Sequence, residues 1–211
     1  PETTVSYELG LKQELAVNTR FELKAFYRDA RNYVSSGIPI DLGDGKAYYT
    51  FVNKDYSNSR GIIATIYRRF SNLLGGQLDY TYQVAEGANS NPVEEFGAVL
   101  AGNEPTRSIL PLDWDQTHNL NGSIFGNYKK WGANIVFQFG SGYPYTPQIT
   151  NYESQGEVLS NVLLRNSRRK PTTFRLDLKI DRDLKLGSLN GKFYVRIQNL
   201  TDRRNQISVY G

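Results

Sequence analysis

Three observations predict an all-β fold, an antiparallel up-and-down sheet whose strands are long enough to cross a bilayer. Apolar and polar residues alternate over runs longer than the 5–6 residues usual in soluble strands. Tyr (15) and Phe (10) are plentiful although apolar residues make up only 39% of the 211, a balance that suits a barrel with aromatic girdles at two interfaces. Finally, the connections between runs are alternately short and long.

About eight runs carry this pattern, roughly 3–14, 19–31, 48–70, 77–85, 115–128, 131–140, 172–186 and 191–200. In the first, Val5, Tyr7, Leu9 and Leu11 oppose Ser6, Glu8, Gly10 and Lys12, and successive strand side chains point to opposite faces. Ala16-Val17-Asn18 forms a short turn. Phe21, Leu23, Ala25 and Tyr27 then oppose Arg20, Glu22, Lys24 and Arg28, and a polar, Gly-rich loop follows from Tyr33 to Ala47. Asp41-Leu42-Gly43-Asp44-Gly45 in that loop lacks the ligand spacing and closing Glu of a calcium loop and reads as a plain turn. The third run is the least regular, and a bulge is expected between Asn53 and Gly61. Ser71 to Gly76 turns the chain into Leu78, Tyr80, Tyr82 and Val84, set against Gln77, Asp79, Thr81 and Gln83.

A long loop, 85–112, holds three prolines. After it, His118, Leu120, Gly122 and Ile124 oppose Thr117, Asn119, Asn121 and Ser123. Lys129-Lys130 makes a short turn into Trp131, Ala133, Ile135, Phe137 and Phe139. A further long loop, 140–169, precedes the longest clean alternation. There Phe174, Leu176, Leu178, Ile180, Leu184 and Leu186 share a side that only Arg182 interrupts, and Arg175, Asp177, Lys179, Asp181, Asp183 and Lys185 occupy the other. Residues 187–191 supply a turn, and Phe193, Val195 and Ile197 complete the hairpin.

Connections that alternate in length put every tight turn at one rim of a meander and every long loop at the other, as in outer-membrane barrels. A soluble barrel shares the binary pattern with its faces reversed, so strand length and loop asymmetry decide for the membrane. No window approaches 18 consecutive apolar residues, which excludes a transmembrane helix but not a transmembrane barrel. Zero Cys rules out a disulfide scaffold and a thiolate metal site. The net charge of +4 is spread through the strands rather than gathered in a patch, which argues against nucleic acid. Without a signal peptide or any Met, the chain reads as a piece of a longer or processed polypeptide.

Five segments in order resemble the C-terminal part of the barrel of TonB-dependent outer-membrane receptors. Pro1-Glu2-Thr3 with Tyr7-Glu8-Leu9-Gly10 is similar to that family's "PE…YELG" strand, and Phe26-Tyr27-Arg28 to its "FYR" strand end. Asn53 with Ser59-Arg60-Gly61 is similar to its "N…rG" strand, although Ile-Ile-Ala stands where an acidic residue usually follows. PLDWDQTHNLN (111–121) resembles "P.D..H.LN", and Asn199-Leu200-Thr201-Asp202 resembles "NLFD" with Thr in place of Phe. The resemblance implies a segment of a 22-stranded barrel lacking the plug and the final strand. It further implies Gram-negative-type outer-membrane residence with long loops extracellular and short turns periplasmic, and ligand capture at those loops. Import would be energised by the TonB complex acting through the missing N-terminal part. Implied partners are the plug, the remaining strands, outer-membrane lipid and lipopolysaccharide, and an imported ligand that the sequence does not name.

Arg20, Glu22, Lys24, Arg28, Arg175, Asp177, Lys179 and Arg196 would then line a polar lumen. Tyr33, Tyr143, Tyr145 and Tyr152 are ligand candidates on the long loops, since Tyr offers an apolar face with a polar tip. Arg165 and Arg168, with Arg169 and Lys170, could hold an anionic ligand or lipopolysaccharide. Trp131 beside Lys129-Lys130 fits an interface anchor. No catalytic set, metal-ligand spacing, phosphate loop or cofactor motif is present, and His118 is the single histidine, so an enzyme is not expected. An alternative remains open: eight is an even number, so the first strand could pair with residues 192–199 and close a small structural or adhesive barrel.

Overall fold

The computed structural model describes residues 1–37, 40–43, 46–71, 73–89, 108–147, 165–206 and 208. Eight long strands form one antiparallel meander: β1 (Thr3–Ala16), β2 (Thr19–Ser36), β5 (Phe51–Ser71), β6 (Leu74–Gly87), β8 (His118–Tyr128), β9 (Trp131–Gly140), β12 (Thr173–Leu186) and β13 (Leu189–Ile197). Short ladders sit at the long-loop rim. β3 (Ile40–Gly43) pairs with β4 (Lys46–Tyr48), β7 (Leu110–Pro111) with β6, and β10 (Pro144–Tyr145) with β11 (Arg168–Arg169). The tight turns between long strands place Asn18, Lys129 and Gly187 in the left-handed region, at φ 64°, 54° and 62°.

Several limits differ from those the sequence suggests. β2 runs on to Ser36, and the expected 33–47 loop holds the β3–β4 hairpin, so β5 starts at Phe51 rather than 48. β6 begins at Leu74 because Gly75 and Gly76, read as turn residues, instead pair with Phe125 and Ile124. A Cβ at Gly76 would lie 2.5 Å from the Ser123 carbonyl oxygen, so glycine there permits close strand approach rather than a turn. β8 begins at His118 because Asp115 is drawn off into the rim, as described below. The last turn occupies only Gly187 and Ser188, and β13 stops at Ile197 where Asn199 turns left-handed. The Asn199 and Leu200 amides then donate to Asp177 Oδ1 (2.9 Å) and the Leu176 carbonyl (2.7 Å).

The expected irregularity in β5 is real and double. Arg31 pairs with Tyr56, Tyr33 with Asp55 and Val34 with Asn53, so Asn32 is an extra residue on β2 and Lys54 an extra residue on β5. Asn32 sits at φ 60°, and Asn53 Nδ2 donates to its carbonyl at 2.8 Å.

The sheet is open. Its order ends at β1 on one side and β13 on the other, and among the described residues these two do not pair. The closed eight-stranded barrel, in which 192–199 would meet β1, is therefore not formed: β13 uses its ladder on β12, and among the described residues no strand pairs with its other edge.

Register brings the alternating residues into continuous rows. One apolar row runs Ile124–Ile135–Leu178–Ile197 across four strands, and another runs Leu23–Ala64–Tyr80–Leu120–Phe139–Phe174. On the opposite face, Lys12–Glu22–Thr65–Asp79–Asn121–Gln138–Arg175 forms a polar row through seven strands. The described residues leave both faces uncovered. Among the described residues only Ala30, Ala85 and Leu112 are buried apolar residues, while Leu9 (79%), Ile62 (44%) and Val195 (47%) stand exposed. An apolar face this wide would drive aggregation in water, whereas hydrocarbon solvates it.

Candidate functional site

Where the sheet ends at the long-loop rim, the segment Leu110–Thr117 is knotted into place around one carboxylate. Leu112 N donates to the Ala85 carbonyl (3.0 Å), and Asp115 N donates to Leu112 O (2.8 Å). Leu112 and Asp115 are 2% and 1% exposed. A buried carboxylate is costly unless paired and hydrogen-bonded. Here Asp115 Oδ1 accepts from Ala85 N at 2.9 Å, Oδ2 pairs with the Arg169 guanidinium at 2.5 Å, and Arg169 also donates to the Asp115 carbonyl at 2.9 Å. Asn166, at φ 58°, clamps the other end, with Nδ2 donating to Pro111 O (2.8 Å) and Asp113 Oδ1 (2.7 Å). Lys170 N donates to Tyr143 O (2.9 Å) and closes the β10–β11 ladder over this segment.

These ties shape an open cavity of about 730 Å³ lined by Asp113, Trp114, Tyr143, Pro144, Tyr145, Thr146, Arg165, Asn166 and Lys170. Three predicted ligand residues, Tyr143, Tyr145 and Arg165, meet there. Arg168 is exposed on β11 with its backbone paired to Tyr145, outside the lining. Tyr33 lies apart, on β2 opposite Asp55 at the double register shift. Tyr152 lies outside the described residues. Sequence reasoning missed Trp114 and Asn166. Trp114, flanked by Asp113 and Asp115 in a polar segment, carried a readable signal, while Asn166 carried none.

The predicted polar-face residues are placed as follows. Glu22 pairs with Lys12 (3.5 Å), and Lys24 and Arg28 both reach Glu8 (3.4 and 3.5 Å). Arg175 pairs with Asp177 (2.8 Å). The Arg20 guanidinium lies 5.6 Å from the Tyr67 ring centre, and the Lys179 ammonium 5.4 Å from that of Tyr194. Arg196 sits opposite Lys179 in the ladder. Each contact is exposed and contributes at most about 1 kcal/mol. Together they set seven cations, Lys12, Arg20, Lys24, Arg28, Arg175, Lys179 and Arg196, against the carboxylates of Glu8, Glu22 and Asp177. Glycine also permits one close contact here: a Cβ at Gly61 would lie 2.1 Å from Tyr82 O, and the Phe26 ring covers the gap.

On the apolar face, polar groups collect toward the long-loop rim. His118 Nδ1 and Tyr80 Oη are 2.9 Å apart, and the His118 ring also meets Tyr82 with centroids 5.5 Å apart. This places the single histidine in an aromatic belt, away from the cavity. At the short-turn rim Trp131 is half exposed, with the Arg182 guanidinium 4.9 Å from its ring centre. Among the described residues no acidic or imidazole cluster could hold a metal ion, and no helix is long and apolar enough to cross a membrane, which leaves crossing by strands untouched. The Asp41–Gly45 turn is described only as far as the β3 backbone, and Asp44 and Gly45 lie outside the described residues.

Residues 1–200 match the profile of a family described as TonB dependent receptor-like, beta-barrel. Among solved structures, the outer membrane transporter YddB from Escherichia coli superposes with a TM-score of 0.67 at 12% identity over 97% of this chain. The alignment takes in 29% of the transporter's own chain, so the present chain spans under a third of that protein's length. At that identity the likeness shows the fold alone. No curated protein matched the sequence.

Proposed function

Because the chain belongs to the TonB-dependent receptor-like β-barrel family, we propose that it supplies eight consecutive strands of an outer-membrane receptor that imports a ligand with energy from TonB. The observation that carries the reading is the open, two-faced sheet. Its exposed apolar face suits lipid, its ion-paired face suits a water-filled lumen, and its bare β1 and β13 edges call for neighbouring strands, since no edge is left open in hydrocarbon. Within it, Arg20, Glu22, Lys24, Arg28, Arg175, Asp177, Lys179 and Arg196 line the lumen and face the plug. The rim cavity with Trp114, Tyr143, Tyr145 and Arg165 takes part in ligand capture on the extracellular side, and Trp131 anchors the periplasmic side.

The sidedness is directly measurable because the chain has no Cys. In the full-length receptor, Tyr143→Cys should react with a membrane-impermeant maleimide in intact cells, and Gly187→Cys only after the outer membrane is permeabilised. The reverse pattern would sink the proposed orientation. Ligand-dependent growth that persists in cells lacking TonB would sink the energised step.

A further inference from the structure

Arg182 interrupts the apolar rows without serving the lumen. Arg182 pairs in the ladders with Trp131 on one side and Phe193 on the other, and Trp131 pairs with Tyr128. Tyr128, Trp131, Arg182 and Phe193 thus form one outward row at the short-turn rim. The Arg182 guanidinium lies 4.9 Å from the Trp131 ring centre, and the Lys129 ammonium lies 5.2 Å from the Tyr128 ring centre. The turn is held against β12 by a hydrogen bond from Asp183 N to Lys130 O at 2.8 Å, so Lys129 and Lys130 stand beside the row.

The charges around this row are unbalanced. Asp181 and Asp183, the sequence neighbours of Arg182, belong to the opposite face and both hold Lys192, at 2.8 and 3.4 Å. Among the described residues no carboxylate pairs with Arg182, Lys129 or Lys130, and all three are exposed. The far rim of the same face differs. There Arg60 pairs with Glu86 (3.1 Å) and Arg31 with Asp29 (2.8 Å), so its cations are neutralised from within the protein.

We propose that Arg182, Trp131, Tyr128, Lys129 and Lys130 form a binding site for the headgroup phosphate of an anionic phospholipid in the periplasmic leaflet. The site rests on the barrel reading above. A planar guanidinium donates two parallel hydrogen bonds to a phosphate, and stacking on Trp131 holds the plane edge-on to an approaching headgroup. The aromatic rings sit at headgroup depth, where an arginine costs little on its own and gains once an anion is supplied. The two lysines place further positive charge above the same spot, each cation near an anionic surface contributing roughly a fivefold gain in binding.

The test uses the full-length receptor in detergent, with phosphatidylglycerol and phosphatidylcholine of identical chains counted by native mass spectrometry. The wild-type protein should retain phosphatidylglycerol on the order of a hundredfold more tightly, Arg182→Gln should cut that preference about fivefold, and adding Lys129→Gln and Lys130→Gln should abolish it. Arg60→Gln, at the far rim, should leave it unchanged. Equal retention of the two lipids, or a preference that survives the triple substitution, overturns the site. Displacement of phosphatidylglycerol by millimolar inorganic phosphate would point to a free-anion site and overturn the lipid assignment. Heat-modifiable migration of each variant reports the barrel itself, so loss of the barrel registers there and loss of lipid preference in an intact barrel registers against the site.

Discussion

Ile135 and Val136 are consecutive β-branched residues of one strand, about equally exposed at 37% and 38%, yet the fold assigns them to different solvents. Ile135 lies in the row Ile124–Ile135–Leu178, and Val136 lies between Ser123 and Asp177. Outward residues on β9 run from Trp131 to Phe139, eight steps of about 3.3 Å, or roughly 26 Å of strand. Tilted by about 40°, that is roughly 20 Å of membrane depth, near the height of the apolar band of such barrels. Ile135 falls at the midpoint, roughly 10 Å from either girdle. Arginine at Ile135 should therefore cost about 2–4 kcal/mol, and arginine at Phe139, at the band's edge, about 1 kcal/mol or less. Val136→Arg should cost under about 1 kcal/mol because it meets Asp177 on a polar face. The assay is guanidinium unfolding of the full-length receptor in bilayers, followed by tryptophan fluorescence and checked by heat-modifiable migration. A soluble sheet with the apolar face as its core would also suffer at Ile135, but without falling off toward Phe139. A flat cost along the outward row, or equal costs at Ile135 and Val136, would refute the assignment of faces.

Three further outcomes follow from the rim and the ladders. Arg169→Ala leaves the Asp115 carboxylate buried without its cation, and should open the rim by about 1–3 kcal/mol, read as faster hydrogen exchange at the Ala85 and Leu112 amides; Asp115→Asn should cost less because Ala85 N keeps an acceptor. Gly61→Ala drives a Cβ against a backbone oxygen that cannot move aside, and should cost about 1–3 kcal/mol in the same unfolding assay, whereas Gly10→Ala, whose nearest neighbour would be 3.5 Å away, should cost under about 0.5 kcal/mol. Trp114→Ala and Tyr143→Ala should each weaken ligand-dependent growth at limiting ligand by about tenfold or more in ligand concentration, with barrel folding unchanged, as expected for exposed aromatic contacts; growth curves identical to wild type would remove the cavity from the capture site.

Most of the meander was legible because period-two alternation is a local signal. The rows of β1, β2, β9 and β12 read directly from sequence, and so did the asymmetry of turns and loops. Limits were lost where residue types have two uses. Gly75 and Gly76 carry a turn signal, but here they serve close strand packing. Asp115 sits in an alternating run, yet its partner Arg169 lies 54 positions away and withdraws it from the strand. The cavity was half legible for the same reason. Tyr143, Tyr145 and Arg165 advertise themselves on a long loop, whereas Asn166 acts through the Pro111 carbonyl, a partner no local pattern reveals. Whether the sheet closes depends on which strand lies beyond each edge, and an even strand number carries no information on that.

The paired irregularity between β2 and β5 has a bearing on pore size. A barrel's radius is fixed by its strand number together with its shear, the net stagger accumulated around the wall. A lone bulge changes that stagger and would propagate a mismatch to every later strand. Here Asn32 inserts one residue on β2 and Lys54 inserts one on β5 immediately after, so the stagger above the defect equals the stagger below it. The rim can therefore be bent and re-aimed at this corner, by substitution or by changes in the loop between the two strands, while the channel keeps its diameter.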